Sequence, residues 1–287
     1  MHPKIEAFFD TSTFTYSYIV SDPATSNAAI IDPVLDYEPN SGRTSTDSAD
    51  QIIDYIEREK LSVDWILETH VHADHLSAAS YLKKRVGGQI GIGEHVVAVQ
   101  EFFGKTFNAE IGFKRDGSQF DKLFSDGEDF AVGTLPVSVI HTPGHTPACI
   151  TYAFEGSAFV GDTLFMPDYG TARADFPGGD ARTLYHSIQR IFALAPETKL
   201  YMCHDYGTET RKEFRFKTTV ADEQTNNIFV HEGIDEEQFV EYRECRDSKL
   251  QAPQLLLPAV QFNMRGATLP PAENNAMHYF KIPVRAR

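Results

Sequence analysis

Imidazoles and carboxylates crowd into four short stretches of this 287-residue chain. His70, His72, Asp74 and His75 share the run His70-Val-His72-Ala-Asp74-His75, and His145 closes His141-Thr-Pro-Gly-His145. Asp162 follows Gly161, and His204 stands in Cys203-His-Asp-Tyr206. Nitrogen and carboxylate donors in this mixture suit zinc, iron or manganese. A loop leaving a strand can fold so that His70 and His72 converge while Asp74 and His75 turn toward a neighbouring position. Gly144 beside His145 and Gly161 beside Asp162 let the backbone come close around such a site. A lone histidine is more often a satisfied packing residue, and His2, His95, His141, His186, His231 and His278 are read that way. The clustered set is read as a metal centre. Cys149 and Cys203 are read as packed hydrophobes, not nucleophiles.

The elements that must position these residues are visible in the patterning. Ile5–Phe9, Thr15–Val20 and Ala28–Ile31 are short, β-branched or aromatic, and end in Asp or Pro turn signals. A polar loop is expected from Tyr37 to Thr46, then a helix from Asp47 to about Lys60 whose apolar face carries Ile52, Ile53 and Ile56. Strand Asp64–Glu68 feeds the first histidine run, and helix Ser77–Val86 stops at Gly87-Gly88. A short strand Ile90–Ile92 and a helix Glu94–Phe103 follow. Further strands are expected at Asp129–Val132, Pro136–His141, Ala148–Phe154, Ala158–Gly161 and Lys199–Cys203, with a helix at Asp180–Leu194. Each ligand group thus falls at a strand end, and strands alternating with helices in two halves predict a layered α/β domain over residues 1–213. From Phe214 the pattern becomes helix-rich (about Asp235–Leu250) and then Pro-rich. Residues 214–287 are therefore expected to be a C-terminal extension packed on the same domain.

Composition narrows the partners. Against 41 Asp+Glu stand 26 Lys+Arg, a formal charge of −15, which repels nucleic acid and anionic membrane surfaces. A small anionic substrate needs only a few local cations and stays admissible. The three cysteines Cys149, Cys203 and Cys245 are too few and too scattered for a disulfide framework, which favours a reducing compartment. The first residues lack the basic start and apolar run of a signal peptide, and no stretch has about 18 consecutive apolar residues. A cytoplasmic protein is expected.

From Ile30-Ile-Asp-Pro33 to about Tyr206, the chain resembles the metallo-β-lactamase superfamily. The resemblance implies an αββα sandwich with the metal site at one edge, between two sheets. That fold supports several chemistries. The ligand residues alone admit a hydroxyacylglutathione hydrolase of the glyoxalase II type, with two zinc ions sharing Asp162. In such an enzyme His70, His72 and His145 hold one metal, and Asp74, His75 and His204 the other. That type usually carries a C-terminal helical domain with a basic and tyrosine glutathione signature, which is not found after Phe214.

The wider motifs resemble the persulfide dioxygenases, in their bacterial branch. They are the first histidine run, His141-Thr-Pro-Gly-His145-Thr, Cys203-His-Asp-Tyr206, Tyr169-Gly-Thr-Ala-Arg173-Ala-Asp-Phe-Pro-Gly-Gly-Asp180 and Asn263-Met-Arg265…Leu269-Pro-Pro271. This resemblance implies oxidation of glutathione persulfide by O2 to sulfite and glutathione, in sulfide detoxification. It places one Fe(II) per chain on His70, His145 and Asp162, with three positions left open for the persulfide sulfur and O2. His72, Asp74, His75 and His204 then hydrogen-bond the ligands or water and tune the metal. Arg173 and Tyr206 match positions that contact glutathione in the family, an arginine being suited to a two-pronged grip on a carboxylate. Gln224 stands where eukaryotic members have an arginine, and Arg211, on the loop after Tyr206, is the residue placed to compensate. Family members are commonly dimers, so a homodimer is expected.

Overall fold

In the computed structural model, which describes residues 2–284, the chain forms two six-stranded sheets, a small third sheet and seven helices among those residues. The first half runs β1 (Lys4–Asp10), β2 (Thr15–Ser21), β3 (Asn27–Ile31), β4 (Val34–Glu38), β5 (Arg43–Ser45) and α1 (Asp47–Glu59). It continues with β6 (Ser62–Leu67), β7 (Leu76–Ser77), α2 (Ala79–Val86), β8 (Gln89–Gly93), α3 (Val96–Thr106) and β9 (Lys122–Phe124). The first sheet has the order β1-β2-β3-β6-β8-β9. It begins antiparallel and becomes parallel from β3 onward. The expected polar loop after Tyr37 is instead a hairpin. β4 pairs with β5 on one side and with β7 on the other, and its Leu35 and Tyr37 pack on the core. The three residues of β5 are exposed and polar, so no apolar alternation marks them.

The second half runs β10 (Asp129–Val132), β11 (Leu135–His141), β12 (Ile150–Phe154), β13 (Ser157–Phe159), α4 (Ala181–Phe192), β14 (Lys199–Tyr201) and β15 (Lys217–Thr219). Its strands lie in chain order within the second sheet, with β13 and β14 parallel. α5 (Val220–Asn226), α6 (Glu236–Asp247) and α7 (Leu256–Asn263) complete the chain.

Three hydrophobic cores define four layers. One lies between α1, α2, α3 and the outer face of the first sheet, with Ile52, Ile56, Leu82 and Ile66 buried in it. The second lies between the sheets and is aromatic: Tyr16, Tyr18, Phe124, Tyr152, Phe159 and Tyr201. The third joins α4, α5 and α6 to the second sheet through Leu184, Ile188, Val220 and Phe239. β2 shows how one strand serves two cores: Tyr16, Tyr18 and Val20 face the other sheet while Ile19 faces the helices, the period-two alternation of a pleated strand. This is the αββα sandwich. Residues beyond 213 contribute to both outer layers. β15 is the edge strand of the second sheet, α6 packs on α4, and α7 crosses to the opposite layer, where Ala259 and Phe262 join the first core.

Local signals account for the helices. Ala49, Ile52, Ile53 and Ile56 make one buried face of α1, which ends where Lys60 turns left-handed at φ 55°. Asp180 caps α4 by accepting from the Thr183 amide, and Asp235 and Gln238 form a reciprocal capping box on α6. Among the described residues no helix is long and apolar enough to cross a membrane.

Candidate metal centre

The strand ends deliver the ligand groups to one edge of the sandwich. β6 runs into Glu68–His75, β11 into the turn that carries His145, β13 into Asp162 and β14 into His204. The two sheets are tied there by the backbone: the Tyr16 amide donates to the Cys203 carbonyl at 2.7 Å, and the Ile150 amide to the Thr69 carbonyl at 3.0 Å. The glycines are needed. At Gly161 (φ +52°) an added Cβ meets Thr69 Oγ1 at 2.6 Å, and at Gly144 (φ +134°) it meets the Leu184 backbone at 2.3 Å.

His70, His72, His75, His145, His204 and Asp162 are buried, and Asp74 is half-buried. Ligand atoms of His70, His145 and Asp162 lie within 4.8 Å of one another. Each histidine spends one ring nitrogen on the protein and keeps the other for the centre. His145 Nδ1 donates to the Arg173 carbonyl at 2.8 Å. His70 Nδ1 meets Thr69 Oγ1 at 3.0 Å, and that hydroxyl donates to Asp32 Oδ2 at 2.8 Å. His204 Nδ1 donates to the Phe14 carbonyl at 3.3 Å. His75 Nδ1 lies 3.4 Å from Asp74 Oδ1. Partners of this kind fix the tautomer and aim of a metal-binding imidazole. The atoms left over, His70 Nε2, His72 Nδ1, His75 Nε2, His204 Nε2, Asp74 Oδ2 and Asp162 Oδ1, are buried and lack any hydrogen-bond partner. Buried polar atoms are almost always paired, so a group of orphans made of nitrogen and carboxylate oxygen fits a metal ion.

Electrostatics agree. Burial, reinforced by the neighbouring imidazoles of His72, His145, His204 and His75, pushes His70 well below its ordinary value and keeps its lone pair free. Burial lowers His75 and His145 too, although Asp162 works against it at His145. His72 differs. Burial would lower it, but Asp32 and Glu68 prevail and raise it well above the usual range, because its Nε2 lies 2.9 Å from Asp32 Oδ1 and 3.1 Å from Glu68 Oε2. Burial pushes the Glu68 carboxyl up, whereas at Asp32 His72 and the two Thr69 hydrogen bonds together outweigh burial and hold it down. Burial also pushes the Cys203 thiol far up and Cys149 up to about 12, although Cys203 Sγ lies with Asp162 and His204 in a group close enough to hold a metal ion.

Residues 11–204 match the model of the metallo-beta-lactamase superfamily. The chain belongs to that superfamily. It is 54% identical to a "probable metallo-hydrolase" of Burkholderia pseudomallei, over 98% of this chain and 99% of that one. It is 49% identical to "Glyoxylase B2" of Dictyostelium discoideum, over 98% of this chain and 97% of the relative. Human "Persulfide dioxygenase ETHE1, mitochondrial" is 29% identical over 91% of this chain and 87% of its own. Among solved structures, ETHE1 from Myxococcus xanthus superposes with a TM-score of 0.73 at 29% identity, covering 92% of this chain and 99% of that chain.

As a superfamily member, the chain opens its metal centre onto a cavity of about 520 Å³. Asp74, His145 and Asp162 lie at its floor, while Arg173 and Tyr206 line its side. Arg211 does not reach the cavity. Its guanidinium is saturated by Asp168 (2.7 and 2.9 Å) and Asp205 (2.5 and 2.8 Å), an ion-pair knot that fixes the loop after His204. The compensating role expected for Arg211 therefore has no geometric basis. Gln224 points elsewhere too, donating to the Phe192 carbonyl at 3.2 Å.

Three supporting residues carried no assigned role in the sequence reading. Asp32, held in the left-handed region at φ 48°, accepts from the Thr69 amide at 2.7 Å besides its contacts to Thr69 and His72. Glu68 bonds both His72 and the Ser77 hydroxyl. Asn263, at the end of α7, donates to the His72 and His75 carbonyls at 2.9 and 2.8 Å and accepts from the Ser77 amide at 2.8 Å. Asp32 and Asn263 lie inside the quoted motifs. Their reach to the histidine run is a tertiary fact.

Proposed function

We propose that this chain is a persulfide dioxygenase that converts glutathione persulfide, O2 and water to glutathione and sulfite. The observation that carries this reading is the trio His70, His145 and Asp162. Its ligand atoms converge within 4.8 Å on two imidazoles and one carboxylate, whereas His72, its Nε2 taken by Asp32 and Glu68, groups with Asp74 and His75. Two imidazoles and one carboxylate form the ligand set of non-haem Fe(II) oxygenases. The likeness to the ETHE1 proteins supports it as well. A ferrous ion held there supplies the redox chemistry by which O2 reacts with a sulfur anion.

The protein's own residues do the rest. The Arg173 carbonyl holds the His145 ring in one tautomer, and the Thr69–Asp32 relay does the same for His70. Phe165, Tyr169 and Phe176 line the cavity and shield the sulfur from bulk water. Atoms balance: the terminal sulfur gains two oxygen atoms from O2, and water supplies the third oxygen of sulfite as the S–S bond breaks. The sulfane sulfur is oxidised, O2 is reduced, and the thiol leaves as glutathione.

A second reading rests on Asp74, His75 and His204, whose unpaired atoms also face inward. With Asp162 they offer a second metal position, as a dinuclear hydroxyacylglutathione hydrolase requires, and the relatives named as a metallo-hydrolase and a glyoxylase favour it. Metal analysis of freshly purified, unsupplemented protein, paired with O2 uptake on glutathione persulfide and thioester cleavage, separates the two. One iron per chain with O2 uptake and sulfite release is expected. Two zinc ions with thioester cleavage and no O2 uptake would overturn the dioxygenase.

A further inference from the structure

Three arginines stand in the cavity wall, Arg173, Arg243 and Arg246. They are not equivalent. Arg173 donates to both oxygens of Asp175, at 2.6 and 2.8 Å, and to the Gln251 carbonyl at 2.7 Å. Arg243 is buried, donating to Asp247 Oδ1 at 2.7 and 3.0 Å and to the Thr171 carbonyl at 2.9 Å. Both guanidiniums are committed to building the wall. Arg246, one turn further along α6, has no carboxylate or carbonyl on its guanidinium among the described residues. It sits over the Tyr169 and Phe229 rings, 5.6 and 5.5 Å from their centres.

A guanidinium seated on aromatic faces is held in place while its N–H fork stays free for an anion. In a chain with 41 acidic and 26 basic residues, an arginine without an acidic partner facing a cavity is the exception. A row of rings connects it to the metal centre: His204 stacks on Tyr206 at 5.6 Å, and Tyr206 lies 5.3 Å from Tyr169, whose ring supports Arg246. In a tripeptide thiol such as glutathione the sulfur sits on the middle residue with a carboxylate at each end, so one arm can run along this row while the sulfur lies at the centre. A cysteine-sized thiol cannot.

We propose that Arg246 binds a carboxylate of the substrate and thereby selects a peptide-sized thiol derivative, so that the C-terminal helix α6 sets specificity. This rests on the reading that the site takes a glutathione-bearing substrate, and it holds for the dioxygenase and the thioesterase alike.

The test is calorimetric binding of glutathione to metal-loaded full-length protein, wild type against Arg246→Gln and Arg246→Lys, under nitrogen. A charge-assisted contact predicts binding about 10–100-fold weaker in the Gln variant, with partial recovery in Lys. Melting temperature and metal content should stay at wild-type values, because removing Arg246 orphans no acid. In steady state the KM for glutathione persulfide should rise while that for cysteine persulfide does not. Binding of equal strength in wild type and Arg246→Gln, or no glutathione binding by wild type, overturns the proposal. Arg246-dependent glutathione binding without O2 uptake would instead discard the dioxygenase and leave the assignment of Arg246 standing.

Discussion

Two polar regions border the same cavity, and they treat buried hydrogen-bonding groups in opposite ways. In the metal centre, six atoms from His70, His72, Asp74, His75, Asp162 and His204 are buried without a hydrogen-bond partner, His204 Nε2 meeting only the carboxylate oxygens Asp74 Oδ2 at 3.1 Å and Asp162 Oδ1 at 3.3 Å. Across the cavity, where α6 forms the wall, Arg243 is matched by Asp247 and Thr171, and the second Asp247 oxygen accepts from the Ala174 amide at 2.8 Å. Leaving one such group unpaired costs about 1–3 kcal/mol, and a fold does not collect six of them at one point without compensation. The first region is arranged around a group that arrives. The second is paired within itself and supplies shape, with Arg246, alone among the three arginines of the wall, carrying no carboxylate or carbonyl among the described residues.

The sharpest way to break this comparison is to remove, one at a time, two imidazoles of the metal centre. His145→Ala removes one of three proposed ligands, so metal content should fall to near zero and activity below detection. His204→Ala should keep most of its metal and lose activity by about 10–100-fold. Metal analysis of the two purified variants beside the turnover assay checks both. Equal metal loss would make His204 a ligand and favour the dinuclear hydrolase.

The wall should respond in stability, not chemistry. Arg243→Met strands the Asp247 carboxylate, and breaking a buried ion pair from one side costs about 3–5 kcal/mol. For a chain of this size that lowers Tm by about 10 °C, with metal content per folded chain unchanged. The double variant Arg243→Met/Asp247→Leu should recover most of the loss, since no buried charge is then left alone. A single variant that melts with the wild type would show that the pair is not the closed unit its geometry describes.

The contrast also explains what the sequence could tell. Coordination chemistry admits few residue types, so the seven candidate ligand positions stand out wherever strands end, and α1 and α4 are plain from their periodic faces and terminal signals. The wall has no such code. Arg243 and Arg246 are one turn apart on α6 and of the same type. Which one is buried against Asp247 and which faces the cavity depends on what α6 packs against. α7 was hidden for another reason: Pro258 lies within Leu256–Asn263 and makes the segment read as Pro-rich tail, yet in the first turn of a helix a proline lacks only an amide that has no partner there anyway. The clamp from Asn263 onto the histidine run spans about two-thirds of the chain, and no local pattern announces it. Arg173, expected from the sequence to grip a glutathione carboxylate, lines the cavity with its guanidinium already taken by Asp175 and the Gln251 carbonyl, a pairing that could not be foreseen from an Arg-Ala-Asp triplet that suits a solvated turn equally well.

The smallest expected effect concerns a buried carboxyl of the C-terminal region that is paired through only one of its oxygens. Glu223 is buried in α5 with Oε2 accepting from Asn227 Nδ2 at 2.6 Å and Oε1 without a partner. Burial raises it well above the ordinary 4.5. Asn227 in turn donates to the Gly170 carbonyl at 3.1 Å, so the pair supports the corner that carries Tyr169. The sign follows from proton counting. Above about pH 4.5 the unfolded chain releases this proton while the folded chain keeps it, so the folded state binds more protons and stability falls as pH rises. The fall continues until the folded group itself titrates. Each unit by which burial raises the group is worth about 1.4 kcal/mol. Glu223→Gln has the shape of the protonated acid and no proton to lose. The variant should therefore unfold at the same denaturant midpoint as wild type near pH 4, and at a higher midpoint at pH 8. Midpoints that differ by the same amount at both pH values would mean that Glu223 carries its charge in the folded protein, with a partner for Oε1 to be found beside α5.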